Sequence, residues 1–233
     1  MSKARFAEVA LATGNKGKLA EFNAKLAILG IKMYTGPKLV SPPEDGKSYF
    51  ENAAIKARHG AKQWGVACVG EDSGIEVVGL GDLPGIYSSR FATFSPSDIE
   101  KGIKRRSLEG FASTEVEAQA LDQKNNELIL SLMRGKTGDA RICRYVACVV
   151  VANPAGEILY VNETSVWGRI LESPKGMKGF GFDPIVEFFD FPGRSVAELS
   201  MEEKGLISHR GQAIQNLVLW LGGDLMTGHI HPE

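Results

Sequence analysis

The feature that most constrains the fold is a run of apolar residues at 141–151, in which both faces of a β-strand are hydrophobic. Apart from Arg141 at its start and Arg144, the residues of this run are valine, isoleucine, alanine, cysteine or tyrosine. Because a strand that is apolar on both faces has to be covered on both sides, the run belongs in the middle of a sheet. The tetrapeptide NPAG at 153–156 is typical of a hairpin turn, and a second extended run follows at 157–167. Together with the helical patterns elsewhere in the chain, these runs predict an α/β fold.

The first 35 residues predict a strand, a helix and a second strand. An apolar run at 6–13 is followed by residues 16–29, in which leucine and phenylalanine recur at helical spacing. Gly30 ends this helix, and residues 31–35 form the second strand. The order places the start of a helix directly beyond the end of a strand, which is where open α/β sheets bind ligands.

The rest of the chain alternates between helices and extended segments. Ser48 and Glu51 are spaced as a capping box, which predicts a helix as far as residue 64. The strand that follows at 66–70 is expected to end in a turn at 71–74, and residues 87–91 are expected to be extended. Further helices are predicted at 95–109, at 114–133 and at the end of the chain. No linker-like segment interrupts this order, so residues 1–233 are predicted to form a single domain.

The balance of charge restricts the possible ligands. Lysine and arginine number 27, against 28 aspartates and glutamates, so no global field attracts a nucleic-acid backbone or a membrane surface. Any polyanion that binds must therefore be small and must meet a local cluster of cations. Cys68, Cys143 and Cys148 have apolar neighbours and form no close pair, which favours buried thiols over disulfides or a metal site. Because no signal-like or bilayer-spanning run is present, we expect a cytoplasmic protein without nucleic-acid or membrane partners.

Two segments near the predicted sheet carry residues suited to phosphate chemistry. In TGNKGK at 13–18, Gly14 permits a tight turn, the N–H groups at the helix start can bind an anion, and Lys18 adds a positive charge. A plain strand-to-helix turn is an equal alternative. Glu71 and Asp72 are adjacent carboxylates that repel one another unless a cation or a partner relieves them. A Mg²⁺ ion shared with substrate phosphates would do so, whereas the alternative is a turn in which Asp72 and Ser73 bind backbone N–H groups.

Three further segments have both a functional and a structural interpretation. Lys56 stands among small residues on a predicted helix, so its side chain either reaches into a cleft or extends to solvent. The segment GFGFDP at 179–184 surrounds an aromatic ring with glycines, which suits a flat ligand as well as a core aromatic in a turn. His209 and Arg210 begin a helix, where the helix dipole disfavours cations. Their position favours a ligand that holds them there, with an exposed polar turn as the alternative.

Six segments in this order resemble the inosine triphosphate pyrophosphatase family. The family pattern is T-G-N-x-x-K, E-N-A-x-x-K-A, (D/E)-D-S-G-L, P-G-x-Y-S-A-R, G-F-G-Y-D-P and E-K-x-x-x-S-H-R. The corresponding segments here are 13–18, 51–57, 71–75, 84–90, 179–184 and 203–210. Each motif alone is weak, but six in order over almost the whole chain are specific. The resemblance implies an elongated mixed β-sheet with flanking helices forming two lobes around a central cleft, and a homodimer.

The resemblance also implies an activity and a set of site residues. The activity is the Mg²⁺-dependent hydrolysis of non-standard purine nucleoside triphosphates (ITP, dITP and XTP) to the monophosphate and pyrophosphate, which cleanses the nucleotide pool. Asp72 would activate the water that attacks the α-phosphorus and would bind Mg²⁺, with Glu44 or its neighbour Asp45 as the second metal ligand. The triphosphate would be bound by Thr13, Gly14, Asn15, Lys16, Gly17, Lys18 and Lys56. The nucleoside would be bound by Ser73, Phe180, Gly181, Phe182, Asp183, Lys204, His209 and Arg210.

The chain departs from the family pattern in several places. Glu71 stands where many bacterial members have aspartate, and Phe182 stands where tyrosine is usual. An insertion at about 94–118 includes a basic run at 101–106. We expect this insertion to be a surface helical hairpin, with a lid or a dimer element as the alternative.

Two other functions fit parts of the pattern. A non-catalytic nucleotide-binding protein would keep the fold, but it would be expected to lose Asp72, Lys18 or Lys56, all of which are present. A pyrophosphatase of similar fold that acts on modified pyrimidine triphosphates is the second alternative. The segment SHR at 208–210 argues against it, because its donors suit a purine carbonyl.

Overall fold

The computed structural model describes residues 5–6, 8–34, 42, 44–100 and 114–223. Within them, seven strands form one mixed sheet in the order β2-β1-β3-β5-β6-β7, and β4 pairs with β3. The strands are β1 (Glu8–Ala12), β2 (Lys32–Tyr34), β3 (Cys68–Val77), β4 (Leu83–Pro84), β5 (Ile142–Ala152), β6 (Ile158–Ile170) and β7 (Val186–Phe188). The α-helices are α1 (Lys16–Leu26), α2 (Tyr49–Trp64), α3 (Pro96–Glu100), α4 (Glu115–Leu132), α5 (Met201–Ile207) and α6 (His209–Gly222). The predicted mixed α/β fold with flanking helices is confirmed.

The predicted opening of strand, helix and strand is also confirmed. Strands β1 and β2 are parallel, with Glu8 opposite Lys32, and α1 connects them. The helix is three residues shorter than predicted, because residues 27–29 tighten into a 3₁₀ turn. Gly30 then takes a φ of 62°, a left-handed conformation that glycine adopts without strain, and this ends the helical segment.

Strand β5 lies between β3 and β6, in the middle of the sheet as its two apolar faces predict. Every residue from Tyr145 to Ala152 is buried. The charged exception, Arg144, pairs with Glu76, and its guanidinium lies over the Trp167 ring at 5.6 Å. The charge of Arg144 is therefore compensated within the sheet region without interrupting the strand.

Strand β3 is longer than predicted, because residues 71–74 continue the strand instead of turning. Adjacent side chains of a strand point to opposite faces, so Glu71 and Asp72 do not face one another. Each carboxylate also meets a lysine: Glu71 meets Lys18 and Asp72 meets Lys56. Because both carboxylates are paired with lysines, residues 71–74 can remain in the sheet as part of β3.

Residues 85–93 form a 3₁₀ helix, so the prediction of an extended segment at 87–91 was wrong. The backbone groups of this helix bind to the side chain of Asn125 on α4. The Ala92 N–H donates to Asn125 Oδ1 at 2.7 Å, and Asn125 Nδ2 donates to the Ser88 carbonyl at 3.3 Å. Asn125, 33 residues from Ala92, therefore stabilises the conformation of residues 85–93. Short-range sequence patterns carry no information about this contact.

The chain divides into two compact units, each with its own hydrophobic core. The first unit comprises the described residues within 1–72, 147–164 and 210–233, and the second those within 73–146 and 165–209. The largest fully buried side chains of the first core are Leu11, Phe22, Leu26, Ile214 and Leu217. Those of the second core are Ile75, Phe91, Ile129, Met133, Ile170, Ile185 and Phe188. The single domain with two lobes around a cleft stays a prediction.

All three cysteines are buried and unpaired, as their apolar neighbours predict. Burial raises the pKa of the Cys68, Cys143 and Cys148 thiols to about 12. Since the thiolate is the reactive form, these side chains behave as small hydrophobic groups at neutral pH.

The predicted insertion is described only at its two ends. Helix α3 begins at Pro96, and Thr114 begins α4 with a capping box that Glu117 completes. Residues 101–113, which include the basic run, lie outside the described residues, so the predicted surface hairpin is not tested. None of the described helices is long and apolar enough to cross a membrane.

The contact between β3 and α2 predicts a large effect of a single methyl group. A Cβ at Gly70 would collide with the Ala53 carbonyl oxygen and would lie 2.6 Å from the Ala57 backbone nitrogen. Because backbone atoms cannot rotate away, Gly70→Ala should lower the free energy of unfolding by about 1–3 kcal/mol. Gly14→Ala is the matched control, because a Cβ there meets nothing within 4 Å. Urea denaturation measures both variants, and equal stabilities would contradict the proposed close packing.

Candidate active site

The start of α1 forms a polar loop at the end of β1. Asn15 is the N-cap residue and accepts a hydrogen bond from the Lys18 N–H at 3.0 Å. Thr13 Oγ1 in turn accepts the Asn15 N–H at 3.1 Å. Gly14, Asn15 and Lys16 are exposed, so the first N–H groups of the helix adjoin solvent next to the Lys18 ammonium. This arrangement can bind an anion, as the sequence predicts.

A buried carboxylate on β3 joins two cations of the first unit. Glu71 forms an ion pair with Lys18, with Nζ and Oε2 2.6 Å apart, and accepts a hydrogen bond from Arg210 Nε at 3.0 Å. Arg210 also donates to Glu21 on α1 at 2.9 Å. Arg210 is only 3% exposed, so the cation at the start of α6 is held by two carboxylates of the protein itself. This pairing accounts for a positive charge at a helix start without a ligand.

The cations beside Glu71, Lys18 and Arg210, determine the ionisation of its carboxyl group. Burial alone would raise the pKa of the Glu71 carboxyl, but the Arg210 guanidinium and the Lys18 ammonium hold it well below its usual range. Burial likewise disfavours the charged form of Arg210, but Glu71 and Glu21 raise its pKa further. Glu71 and Arg210 are therefore both charged at neutral pH.

A second buried group faces the other side of β3. Lys56 Nζ lies 2.8 Å from Asp72 Oδ1 and 3.0 Å from Glu44 Oε2. Asn52, one helical turn before Lys56 on α2, donates to Asp72 Oδ2 at 3.2 Å. Lys56 is 9% exposed, so its side chain reaches inward to the carboxylates and does not extend to solvent.

These contacts give Asp72 and Lys56 different tendencies to hold a proton. Burial raises the pKa of the Asp72 carboxyl; Lys56 opposes the rise and Glu44 adds to it. For Lys56, burial alone would lower the pKa, but Asp72 and Glu44 outweigh burial and raise it above the ordinary value. The pair therefore combines a permanent cation with a carboxylate whose affinity for protons is increased, as a general base requires.

The same two carboxylates are suitable ligands for a hard metal ion. Glu44 and Asp72 converge on one position, because an oxygen of each lies within 3.0 Å of the same Lys56 nitrogen. Carboxylate oxygens are the ligands that Mg²⁺ prefers, and Mg²⁺ usually takes only one or two of them. No group of three or more histidine, cysteine, aspartate or glutamate side chains among the described residues is placed to hold a metal. A metal at Glu44 and Asp72 would therefore share its coordination with water and a bound ligand.

In the second unit, a carboxylate orders the glycine-rich segment. Asp183 is buried, and its Oδ2 accepts the Phe180 N–H at 3.0 Å and Lys204 Nζ at 2.7 Å. The Lys204 ammonium also lies 4.6 Å from the centre of the Phe180 ring. Gly179 has a φ of 78°, and a side chain there would collide with the Asp183 carboxylate. Glycine is therefore required for Asp183 to reach back to Phe180.

Two other predicted residues of this unit are largely buried. The imidazole of His209 stacks on the ring of Tyr145, with centroids 4.7 Å apart and an interplanar angle of 4°. Phe182 is 6% exposed and belongs to the second hydrophobic core. Phenylalanine in place of the usual tyrosine therefore suits the apolar position that residue 182 occupies.

The predicted site residues thus fall into two groups, one in each unit. Residues 13–18, Glu44, Lys56, Asp72 and Arg210 belong to the first unit, and the remaining predicted residues belong to the second. Among the residues that contact them and that the sequence missed are Glu21, Asn52 and Tyr145. Only the position of Asn52, four residues before Lys56 on one helix, could have indicated its contact.

The network around Glu71 predicts a loss of stability in Glu71→Gln. Glutamine keeps a hydrogen-bond acceptor but leaves Lys18 and Arg210 without their shared negative charge. Removing one partner of a buried ion pair costs about 3–5 kcal/mol, and urea denaturation at neutral pH should show a loss of this order. The matched control is Glu203→Gln, because Glu203 pairs with Arg194 at the exposed surface and should change stability little.

The same variant makes a prediction about pH. The folded pKa of Glu71 lies below the unfolded value of 4.5, so its contribution is complete above that pH and decreases as Glu71 is protonated in the folded state. The difference in unfolding free energy between the parent and Glu71→Gln should therefore be constant above pH 4.5 and narrow below it. A difference that stays unchanged into strong acid would contradict the assignment of the charge to Glu71.

Comparison with known proteins gives consistent matches over most of the chain. The model of the Ham1 family matches residues 9–220. The dITP/XTP pyrophosphatase of Thermus thermophilus is 37% identical over 213 residues, covering 91% of this chain and 90% of the relative. The protein of the same name from Deinococcus radiodurans is 37% identical over 210 residues, covering 90% of both chains.

Solved structures match as well. The HAM1 protein from Coxiella burnetii superimposes with a TM-score of 0.72 at 29% identity, covering 96% of this chain and 100% of that chain. The Ham1 protein of Staphylococcus aureus gives a TM-score of 0.71 at 29% identity, covering 93% of this chain and 99% of that chain. Sequence and structure comparisons therefore agree over nearly the full length.

Proposed function

This chain belongs to the Ham1 family, and from that premise we propose that it hydrolyses non-standard purine nucleoside triphosphates to the monophosphate and pyrophosphate. The family agrees with the one that the six ordered motifs predicted. The observation that carries the proposal is the buried group of Asp72, Lys56 and Glu44, in which a proton-accepting carboxylate, a cation and a second carboxylate meet. The substrates are those in the names of its relatives, dITP and XTP, together with ITP.

Asp72 acts as the general base. It accepts a proton from a water molecule whose oxygen attacks the α-phosphorus, and the bond from that phosphorus to the bridging oxygen of the β-phosphate breaks. Burial supports this role, because it raises the pKa of Asp72 and so its affinity for the transferred proton. Asn52 holds the second oxygen of the carboxylate, which fixes the orientation of the base.

The cations of the first unit bind the triphosphate. Lys18 and Lys56 each pair with a carboxylate, and phosphate oxygens of a bound nucleotide would compete for these ammonium groups. The N–H groups of residues 13–18 at the start of α1 add fixed partial positive charge. These contacts position the phosphate chain and stabilise the negative charge that develops on the leaving pyrophosphate.

Mg²⁺ is the proposed metal, with Glu44 and Asp72 as its protein ligands. The support is the convergence of their oxygens on one position that attracts a cation, filled here by the Lys56 ammonium. When bound, Mg²⁺ neutralises negative charge on the phosphate oxygens. Asp45 is the weaker candidate, because it is Glu44 that reaches Lys56.

The second group of residues recognises the base. The Phe180 ring offers a flat surface, Lys204 and His209 supply hydrogen-bond donors, and Ser73 is a further polar group. Arg210, which belongs to the first unit, is proposed for the base only on the family resemblance, because Glu71 and Glu21 already hold it. Donors suit the 6-carbonyl of hypoxanthine or xanthine. Adenine presents an amino group at that position and would leave buried donors unpaired, which costs binding energy.

We also propose that the enzyme acts in the cytoplasm and as a homodimer. Three buried thiols that form no disulfide are compatible with a reducing compartment. The homodimer is the assembly that the family resemblance implies. A non-catalytic binding protein is disfavoured because the proposed base and both phosphate-binding lysines are present and paired.

The products test the proposed reaction directly. With dITP, XTP, dATP and dUTP in the presence of Mg²⁺, ³¹P NMR should show monophosphate and pyrophosphate from dITP and XTP and little turnover of the other two. In ¹⁸O-labelled water the label should enter the monophosphate, because water attacks the α-phosphorus. Label in the pyrophosphate, or formation of diphosphate and orthophosphate, would rule out this mechanism. Preferential turnover of dUTP would favour the pyrimidine alternative instead.

The role of Asp72 predicts a loss of turnover in Asp72→Asn. Asparagine keeps the shape of the side chain but cannot accept the proton, and loss of a general base lowers kcat by about 10²–10⁴-fold. Steady-state kinetics with dITP measures the effect. Asp139→Asn, an exposed aspartate of the second unit, is the control and should retain parental kcat. If Asp72→Asn turns over at the parental rate, another group is the base.

A further inference from the structure

Helix α4 contains none of the predicted site residues, yet two of its side chains bind the segment that contains four of them. Asp122 Oδ2 accepts the Gly181 N–H at 2.7 Å, and Asn126 Nδ2 donates to the Gly181 carbonyl at 3.0 Å. Residues 122 and 126 are one helical turn apart and share a face of the helix. Both polar groups of the Gly181 backbone are therefore held by neighbouring side chains of one helix.

Gly181 lies at a position where this support matters. It separates Phe180 from Phe182 and has a φ of 62°, in the left-handed region that favours glycine. Residues 179–182 belong to no strand or helix, and a short 3₁₀ turn begins only at Asp183. No regular backbone ladder fixes the Gly181 peptide, and side chains supply the hydrogen bonds to both of its polar groups.

The Phe180 and Gly181 N–H groups are held by two different carboxylates. The Phe180 N–H donates to Asp183, and the Gly181 N–H donates to Asp122. Burial raises the pKa of Asp122; the Gly181 N–H partly offsets the rise, and the Asp183 carboxylate adds to it. Lys204 binds Asp183 and thereby balances part of the negative charge that the two carboxylates bring to the loop.

We propose that Asp122 and Asn126 are positioning residues that hold the Phe180–Asp183 segment in the conformation that binds the purine base. The inference rests on the proposed function, which assigns that segment to the base. Both side chains act on the backbone of that segment. Their contribution is to fix the Gly181 peptide, and with it the direction of the Phe180 ring and the Asp183 carboxylate.

The rest of α4 provides a rigid support. A capping box of Thr114 and Glu117 begins the helix, and Ile129 and Met133 at its other end are completely buried in the second core. Asn125 on the same helix binds the 3₁₀ helix at 85–93. Because these anchors do not involve the loop, α4 keeps its place when the bonds to Gly181 are removed.

Three variants separate positioning from general stability. Asp122→Ala and Asn126→Ala each remove one bond to Gly181, whereas Asp122→Asn keeps a carbonyl oxygen that can accept the Gly181 N–H. Asn125→Ala is the matched control. It removes a buried asparagine next to Asn126 whose side chain binds the backbone of the 85–93 segment instead of Gly181.

The measurements are KM and kcat for dITP, thermal melting, and inhibition by inorganic tripolyphosphate, which probes the phosphate contacts without a base. We expect Asp122→Ala and Asn126→Ala to raise KM about tenfold, the factor for a lost hydrogen bond of ordinary strength. Their kcat and tripolyphosphate inhibition should stay near the parental values. Asp122→Asn should restore KM, and Asn125→Ala should lower the melting temperature without changing KM.

Two results would overturn the proposal while leaving the proposed function intact. One is a parental KM in Asn126→Ala together with a lowered melting temperature, which would make the contacts merely structural. The other is a loss of tripolyphosphate inhibition in Asp122→Ala and Asn126→Ala that accompanies the rise in KM, which would show a general disturbance of the protein. If the unmodified protein hydrolyses none of the purine triphosphates, the proposed function itself fails, and the positioning role falls with it.

Discussion

The fold around the proposed catalytic group depends on the negative charge of one buried residue, Glu71. A buried carboxylate is tolerated only when cations compensate it, and here Lys18 and Arg210 do so from α1 and α6. The charge on β3 therefore fixes the start of one helix and the start of another against the same strand. Because Arg210 also binds Glu21, the two helices are connected to each other as well.

The alternation of side chains along β3 places the adjacent carboxylates Glu71 and Asp72 in different surroundings, on opposite faces of the strand. Glu71 is fully paired and has a depressed pKa, so it serves as a fixed charge. Asp72 points to the other face, where α2 brings Lys56 and Asn52, and burial there raises its pKa. Because adjacent residues of a strand point to opposite faces, Glu71 lies in the ion-pair network and Asp72 lies in the proposed catalytic group.

The sequence predicted the order of most elements, the start of α2 at Ser48, the central position of β5 and the family, because these features depend on local patterns or on ordered motifs. It failed at residues 71–74, where the cations that keep the strand straight come from residues 18, 56 and 210. It failed again at 87–91, where Asn125 determines the backbone conformation. The contacts of Glu21, Asp122 and Asn126 were equally inaccessible, since they arise only when segments far apart in sequence pack together.

The burial of all three thiols has a practical consequence. Since none of them is exposed, reagents that alkylate cysteine at neutral pH should leave the native protein unlabelled. A cysteine introduced at Met177, a fully exposed position just before the Phe180–Asp183 segment, would then be the one reactive thiol in the molecule. A fluorophore attached there would test whether the surroundings of this loop change during a single turnover.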